Sequence, residues 1–277
     1  MSKLRKALDK AKQSRQRDDW EHSEMVHTTS PSEQTITMPE RRRDDTAFEK
    51  VNPSYHQTKV YPINFQNLEE KRIISICHGN VVADRIKILR TQVLHSLRET
   101  GGNTLLIASS NSGEGRTVMA INLSIALSQQ IDGTVLLVDS DLRKPAIHTL
   151  LGLDVEKGLS DYLRGKAEIA ELLINPGIPR LVILPGGKPL TNSSELLGSP
   201  RMKFLVKELK ERYADRIIVF DSSPLLTSAD SLVLSRFIDG ILIVVEAEKT
   251  SKEDLKNTME LLKERPVVGT VFNKARG

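Results

Sequence analysis

The chain has 277 residues, 39% of them apolar and 27% charged, with a formal net charge of +4. That length holds one α/β domain of about 200 residues with an extension, and so mild a charge does not by itself imply nucleic acid. No window approaches the roughly 18 unbroken apolar residues of a membrane span, Met1–Arg17 is too charged for a secretory signal, and the single cysteine, Cys77, excludes an internal disulfide framework and fits a reducing cytoplasm.

Residues 1–17 read as a basic amphipathic helix with the apolar stripe Leu4, Ala7, Leu8 and Ala11. Peripheral contact with an anionic membrane or a partner, and a merely solvated basic helix, are equally compatible with it. Residues 18–70 carry a Ser-Pro-Ser step, Arg41–Arg43 and Pro39, Pro53 and Pro62, with little periodicity; they are expected to be a flexible linker. The folded domain is expected over 71–277. It opens with the apolar run Ile73–Cys77 and a helix from Val81 to Leu97, whose apolar face is Val82, Ile86, Leu89, Val93 and Leu97. Asp84, Lys87 and Arg90 cluster along one side of that helix, as an intrahelical set or as an interface.

From residue 103 strand and helix patterns alternate. Strands are expected at 104–109, 134–139, 180–184, 216–221, 240–246 and 267–272, and helices at 115–130, 158–173 in pieces, 199–213, 228–237 and 251–264. Ile217–Phe220 and Ile241–Val245 are apolar on both faces, the mark of a parallel sheet covered by helices on both sides. The expected fold is a doubly wound, mostly parallel α/β domain.

Between the first of these strands and its helix lies Ser109-Ser-Asn-Ser-Gly-Glu-Gly-Arg-Thr117. Strand, small-residue turn and helix form the setting of a phosphate-binding loop, where backbone N–H groups and the helix N-terminus converge on an anion. Against G-x-x-x-x-G-K-[ST], Ser110 replaces the first glycine and Arg116 the lysine, while Gly115 and the Mg²⁺-ligating hydroxyl of Thr117 remain; this is a P-loop with a deviant Walker A motif. Two further strands end in acid, at Asp139 (followed by Asp141) and at Asp221. Ligands of such sheets sit outside the carboxyl ends of the strands, and carboxylates beside a phosphate loop suit a Mg²⁺–nucleotide. Taken singly, each acid also reads as a helix cap. Asn273 either offers an amide to a nucleotide base or is simply polar.

On these residues the chain resembles the bacterial tyrosine kinase family of exopolysaccharide and capsule biosynthesis, including autokinases paired with exosortase-linked systems. Val138–Pro145, Glu195–Lys203 and Asp221–Pro224 carry the resemblance. It implies ATP and Mg²⁺ as ligands, with nucleotide binding by Ser112, Gly113, Glu114, Gly115, Arg116, Thr117, Val118 and Asn273. It implies Mg²⁺ near Thr117, Asp139, Asp141 and Asp221, and catalysis by Arg116 with Asp139 or Asp141 as base toward a tyrosine hydroxyl. It also implies a membrane-embedded chain-length-determining partner, placing the chain at the inner face of the cell membrane, and homo-oligomers formed through Asp84, Lys87 and Arg90. Two departures stand out: Arg116 in place of lysine, and a C-terminal stretch Val267–Gly277 without tyrosine. Of Tyr55, Tyr61, Tyr162 and Tyr213, the first two fall in the expected linker and are the reachable acceptors. A nucleotide-gated scaffold of the same system, and a partitioning-type ATPase, are the alternatives; Asn111 stands about where the latter carries an additional lysine, and no DNA-binding basic stripe is evident.

Overall fold

The computed structural model of the chain describes residues 59–275, except 65–66, 78, 131–132 and 213–214. The expected helix at 1–17, most of the expected linker, Tyr55 and Tyr213 lie outside the described residues. Eight strands form one sheet: β1 (Lys59–Val60), β2 (Thr104–Ser109), β3 (Thr134–Asp139), β4 (Ile174–Asn175), β5 (Leu181–Leu184), β6 (Arg216–Asp221), β7 (Gly240–Glu246) and β8 (Val267–Asn273). Their order is β1-β4-β5-β3-β6-β2-β7-β8, and only the β4–β5 pair is antiparallel.

The inner strands are buried along both faces because nearly every residue is apolar. Leu106, Leu136, Val138, Ile218 and Phe220 point to one side, where they meet Met202, Leu205 and Leu209 of α7 (Pro200–Arg212). Leu105, Ile107, Val135, Leu137 and Val219 point to the other. There they pack on Met119, Ile121 and Leu123 of α2 (Arg116–Ser128) and on Val93, Leu94 and Leu97 of α1 (Val81–Glu99). Each fully buried Leu or Ile contributes about 1.5–3 kcal/mol relative to exposure, so the two layers hold the sheet from both sides. The remaining helices are α3 (Ile147–Leu151), α4 (Leu159–Leu163), α5 (Ile169–Leu172), α6 (Ser193–Leu197), α8 (Asp230–Leu234, running into a 3₁₀ turn Ser235–Phe237) and α9 (Lys252–Leu261).

The expected linker boundary at residue 70 needs correction. β1 pairs with β4, Tyr61 N–H donates to Asn175 O at 2.9 Å, and Ile63, Leu68 and Ile73 are buried. The segment that follows is fastened by one buried side chain. Asn122 Oδ1 accepts from Ile74 N–H (2.8 Å) and Ser75 N–H (2.9 Å), while its Nδ2 donates to Arg72 O (2.8 Å) and Val118 O (2.9 Å). All four hydrogen-bonding capacities of this amide are used, which is what its burial in α2 demands. Tyr61 therefore sits against the sheet edge with its side chain half exposed, not in a loose linker.

Candidate active site

The phosphate loop is shaped by two glycines. Gly113 (φ +85°) and Gly115 (φ +90°) occupy the left-handed region that side chains avoid, and Gly115 caps α2. A Cβ on Gly115 would lie 2.1 Å from Asn273 Nδ2. Ser110 has no positive φ; its hydroxyl accepts from Thr258 Oγ1 at 2.8 Å, so the missing first glycine costs the loop nothing in backbone geometry. The Glu114 side chain turns inward, accepting from Asn111 N–H (3.0 Å) and Thr250 Oγ1 (2.6 Å). Through these two bonds it braces the loop from within. Ser112 is exposed; Thr117 and Val118 are half-buried in the first turn of α2. Asn111 Nδ2 is held by Asp254 Oδ2 at 3.1 Å.

The end of β8 closes over this loop. Asn273 Nδ2 donates to Glu114 O (2.9 Å), and Lys274 Nζ donates to Gly113 O (2.7 Å) while standing 3.3 Å from Glu246 Oε2. Asn273 thus joins the loop, with its amide engaged by the backbone. Lys274, which sequence reasoning did not assign, is the second tie.

The acids meet where the register brings them. Asp139 and Asp221 are direct partners across β3 and β6, and Ile107 of β2 lies opposite Asp221. Neighbouring strands run about 4.8 Å apart, so the strand tips converge beside the loop. Asp139 is wholly buried; its Oδ2 accepts from the N–H groups of Ala146 and Ile147, both at 3.0 Å, and its Oδ1 has no hydrogen bond. Burial first, then the neighbouring Asp221 charge, pushes its carboxyl well above the ordinary range. Asp139 thus fastens the start of α3 through Oδ2, while its Oδ1 stays buried beside Asp221.

Asp141 lies nearer the surface. Its Oδ1 accepts from Lys144 N–H (3.2 Å) and its Oδ2 from Arg116 Nη2 (3.1 Å). Burial raises its pKa, and Arg116 partly offsets this. Asp221 is buried completely and neither of its oxygens has a well-formed hydrogen bond; Arg116 Nε stands 3.6 Å from Oδ1. Burial raises it to about 6 against the opposing Arg116 charge and Thr117 hydroxyl. Sequence reasoning missed Asp230, buried in the first turn of α8 and paired with Arg143 at 3.3 Å; its charge also raises Asp141. In sequence it reads only as an acid opening a helix.

Arg116 is 7% exposed and points into the acids, with Nη1 donating to Ser109 Oγ at 2.7 Å. No group of three or more His, Cys, Asp or Glu side chains among the described residues is arranged as a metal cage. Mg²⁺ does not need one: it is usually held by one or two carboxylates together with substrate phosphates and waters. Asp221, fully buried beside the Thr117 hydroxyl and with no well-formed hydrogen bond on either oxygen, fits that role.

The expected oligomer motif divides. Lys87 pairs with Asp84 on the exposed face at 2.8 Å, whereas Arg90 Nη1 turns inward to Ala126 O at 2.9 Å. Arg90 thereby ties α1 to α2. Of the described tyrosines, Tyr162 is buried beneath the Arg201 guanidinium, 4.4 Å from its ring centroid, and Tyr61 is the exposed one. No helix among the described residues is long and apolar enough to cross a membrane.

The family model described as AAA domain matches residues 102–268. Tyrosine-protein kinase YwqD of Bacillus subtilis is 31% identical over 193 residues, 69% of this chain and 80% of YwqD. Longer tyrosine-protein kinases match over 24–33% of their own length. Among solved structures, the kinase domain of the Escherichia coli tyrosine kinase ETK superposes with a TM-score of 0.69, at 24% identity, over 79% of this chain and 91% of that domain. The septum site-determining protein MinD complexed with Mg-ADP, from Pyrococcus horikoshii, superposes with a TM-score of 0.50 at 26% identity, over 61% of this chain and 70% of MinD. The fold is that of the P-loop nucleotide-binding proteins.

Proposed function

We propose, from the premise that this chain belongs to the bacterial tyrosine-protein kinases of capsule and exopolysaccharide systems, that it transfers the γ-phosphoryl group of ATP to a protein tyrosine. The observation that carries the reading is the convergence of the Gly113–Thr117 turn, Asp141 and Asp221 at the carboxyl ends of β2, β3 and β6. Backbone N–H groups of the turn and the start of α2 bind the phosphates, and Thr117 with Asp221 holds the cation that accompanies them. Bound Mg²⁺ supplies charge neutralisation on the phosphates. Asp141, the least enclosed of the three acids, accepts the proton of the attacking tyrosine hydroxyl as the bond to the β-phosphate oxygen breaks. Tyr61, exposed on the sheet edge, is the described acceptor candidate. The chain works at the inner face of the cell membrane with a membrane-embedded chain-length-determining protein, and associates with further copies through the exposed Asp84–Lys87 side of α1.

The test is incubation of the full chain with γ-labelled ATP and Mg²⁺, alone and with the partner's cytoplasmic segment, followed by phosphoamino-acid analysis. Phosphotyrosine is expected from the wild type and not from Asp141→Ala; an equally labelled Asp141→Ala refutes the role of that acid.

A second reading has its own observation. Because Arg116 binds both Asp141 and Asp221, a site that takes up nucleotide but transfers little phosphate, acting as a nucleotide-gated scaffold, is also supported. Nucleotide binding without phosphotyrosine in the same assay would favour it.

A further inference from the structure

Position 116 is where the loop departs furthest from its template, and the structure shows what the departure does. A lysine ammonium is a compact charge on a flexible stem; a guanidinium is a rigid fork that meets several acceptors at once. The Arg116 fork does so, with Nη1 on Ser109 Oγ (2.7 Å), Nη2 on Asp141 Oδ2 (3.1 Å) and Nε 3.6 Å from Asp221 Oδ1. Its side chain is 8% exposed and its two acids are 10% and 0% exposed, so these charges face one another with little water between them. The acceptors come from the ends of β2 and β6 and from the turn after β3, which ties all three together. Ser109 is itself fixed, because its hydroxyl donates to Asn111 O at 2.9 Å within the loop. The guanidinium therefore lies between the two carboxylates on the side of the loop where α2 begins.

We propose that Arg116 is a built-in counter-ion for Asp141 and Asp221, and that it determines how much the site depends on a divalent metal. A cation approaching Thr117 and Asp221 must compete with a positive charge already held there by three protein partners. Nucleotide binding then gains little from Mg²⁺, because the protein's own guanidinium provides part of the neutralisation. This inference rests on the nucleotide reading of the site.

The experiment measures the affinity of a fluorescent ADP analogue for the full chain, with Mg²⁺ and with excess chelator. Wild type is expected to bind the analogue nearly as well without Mg²⁺ as with it. In Arg116→Lys the ammonium cannot span all three acceptors, so the carboxylates are released to the metal. The factor by which Mg²⁺ tightens binding is then expected to rise about tenfold or more. Ser109→Ala keeps the guanidinium but removes one anchor, and is expected to fall between the two. An equal Mg²⁺ factor in all three proteins overturns the counter-ion role while leaving the nucleotide site intact. Absence of analogue binding under either condition overturns the nucleotide reading itself, and the inference with it. Should Arg116→Lys fail to fold, Ser109→Ala decides alone: an unchanged Mg²⁺ factor counts against the proposal.

Discussion

Replacing Asp221 by asparagine should stabilise the protein while damaging its site. Asp221 is wholly buried, its two oxygens lack well-formed hydrogen bonds, and its carboxyl is raised from 3.8 to about 6. Each pKa unit corresponds to about 1.4 kcal/mol, so an ionised Asp221 costs the fold about 3 kcal/mol at neutral pH. The sign follows from which state binds the proton. Below pH 3.8 the group is protonated in folded and unfolded chains alike and has no effect. As the pH rises the unfolded chain ionises first, stability declines, and the whole cost is present above about pH 6. Asparagine keeps the shape without the charge. For a domain of this size about 3 kcal/mol corresponds to a rise in Tm of roughly 6–12 °C. Thermal melts of both proteins by circular dichroism at pH 7.5 and pH 4 are the assay. The gap should be present at the higher pH and nearly absent at the lower. A variant that melts at or below the wild type at pH 7.5 would refute the reasoning, since it would mean that the ionised carboxylate carries no net cost in the folded chain.

Three further outcomes are expected. Asn122→Ala removes the amide that holds Ile74 N–H, Ser75 N–H and Arg72 O and should lower stability by about 2–4 kcal/mol, with faster hydrogen exchange at the amides of Ile74 and Ser75; unchanged exchange there would show that the segment is held by other contacts. Gly115→Ala places a Cβ 2.1 Å from Asn273 Nδ2 at φ +90°, so nucleotide affinity should fall at least about tenfold and Tm should drop, both measurable in one thermal-shift titration. Burial pushes the Asp239 carboxyl up, but Lys210, Thr104 and the Asn103 N–H together hold it below its ordinary value. Its contribution is therefore present above pH 3.8 and lost as the pH falls through its lowered value, so the stability gap between wild type and Asp239→Asn should close in acid.

The six strands expected between residues 104 and 272 are all observed, to within a residue at their ends, because strands buried on both faces write their identity as apolar runs. β1 and β4 were not legible: two residues each carry no periodicity, and only their pairing identifies them. The five-residue helices α3 and α6 are too short to show a 3.6-residue repeat. In the site, the acids were visible as strand endings, since topology alone carries them to one edge. The direction of a side chain is not written in a motif. The loop template places Arg116 next to the phosphates, whereas its long fork finds nearer acceptors in Asp141 and Asp221. Glu114 and Arg90 turn inward for the same reason: each has a buried donor or acceptor within reach that no local pattern announces.

Asn122 gives the molecule a mechanical property. It stands five residues, roughly 7.5 Å along a rigid rod, from Thr117, and the same amide grips the chain at Arg72, Ile74 and Ser75. Whatever pulls on the polypeptide ahead of that grip pulls, through Asn122 and through Gln129 Nε2 on Ser75 O (2.8 Å), on the rod whose N-terminus carries the Gly113–Thr117 turn. Load applied ahead of Arg72 is thereby delivered to that turn without crossing the sheet.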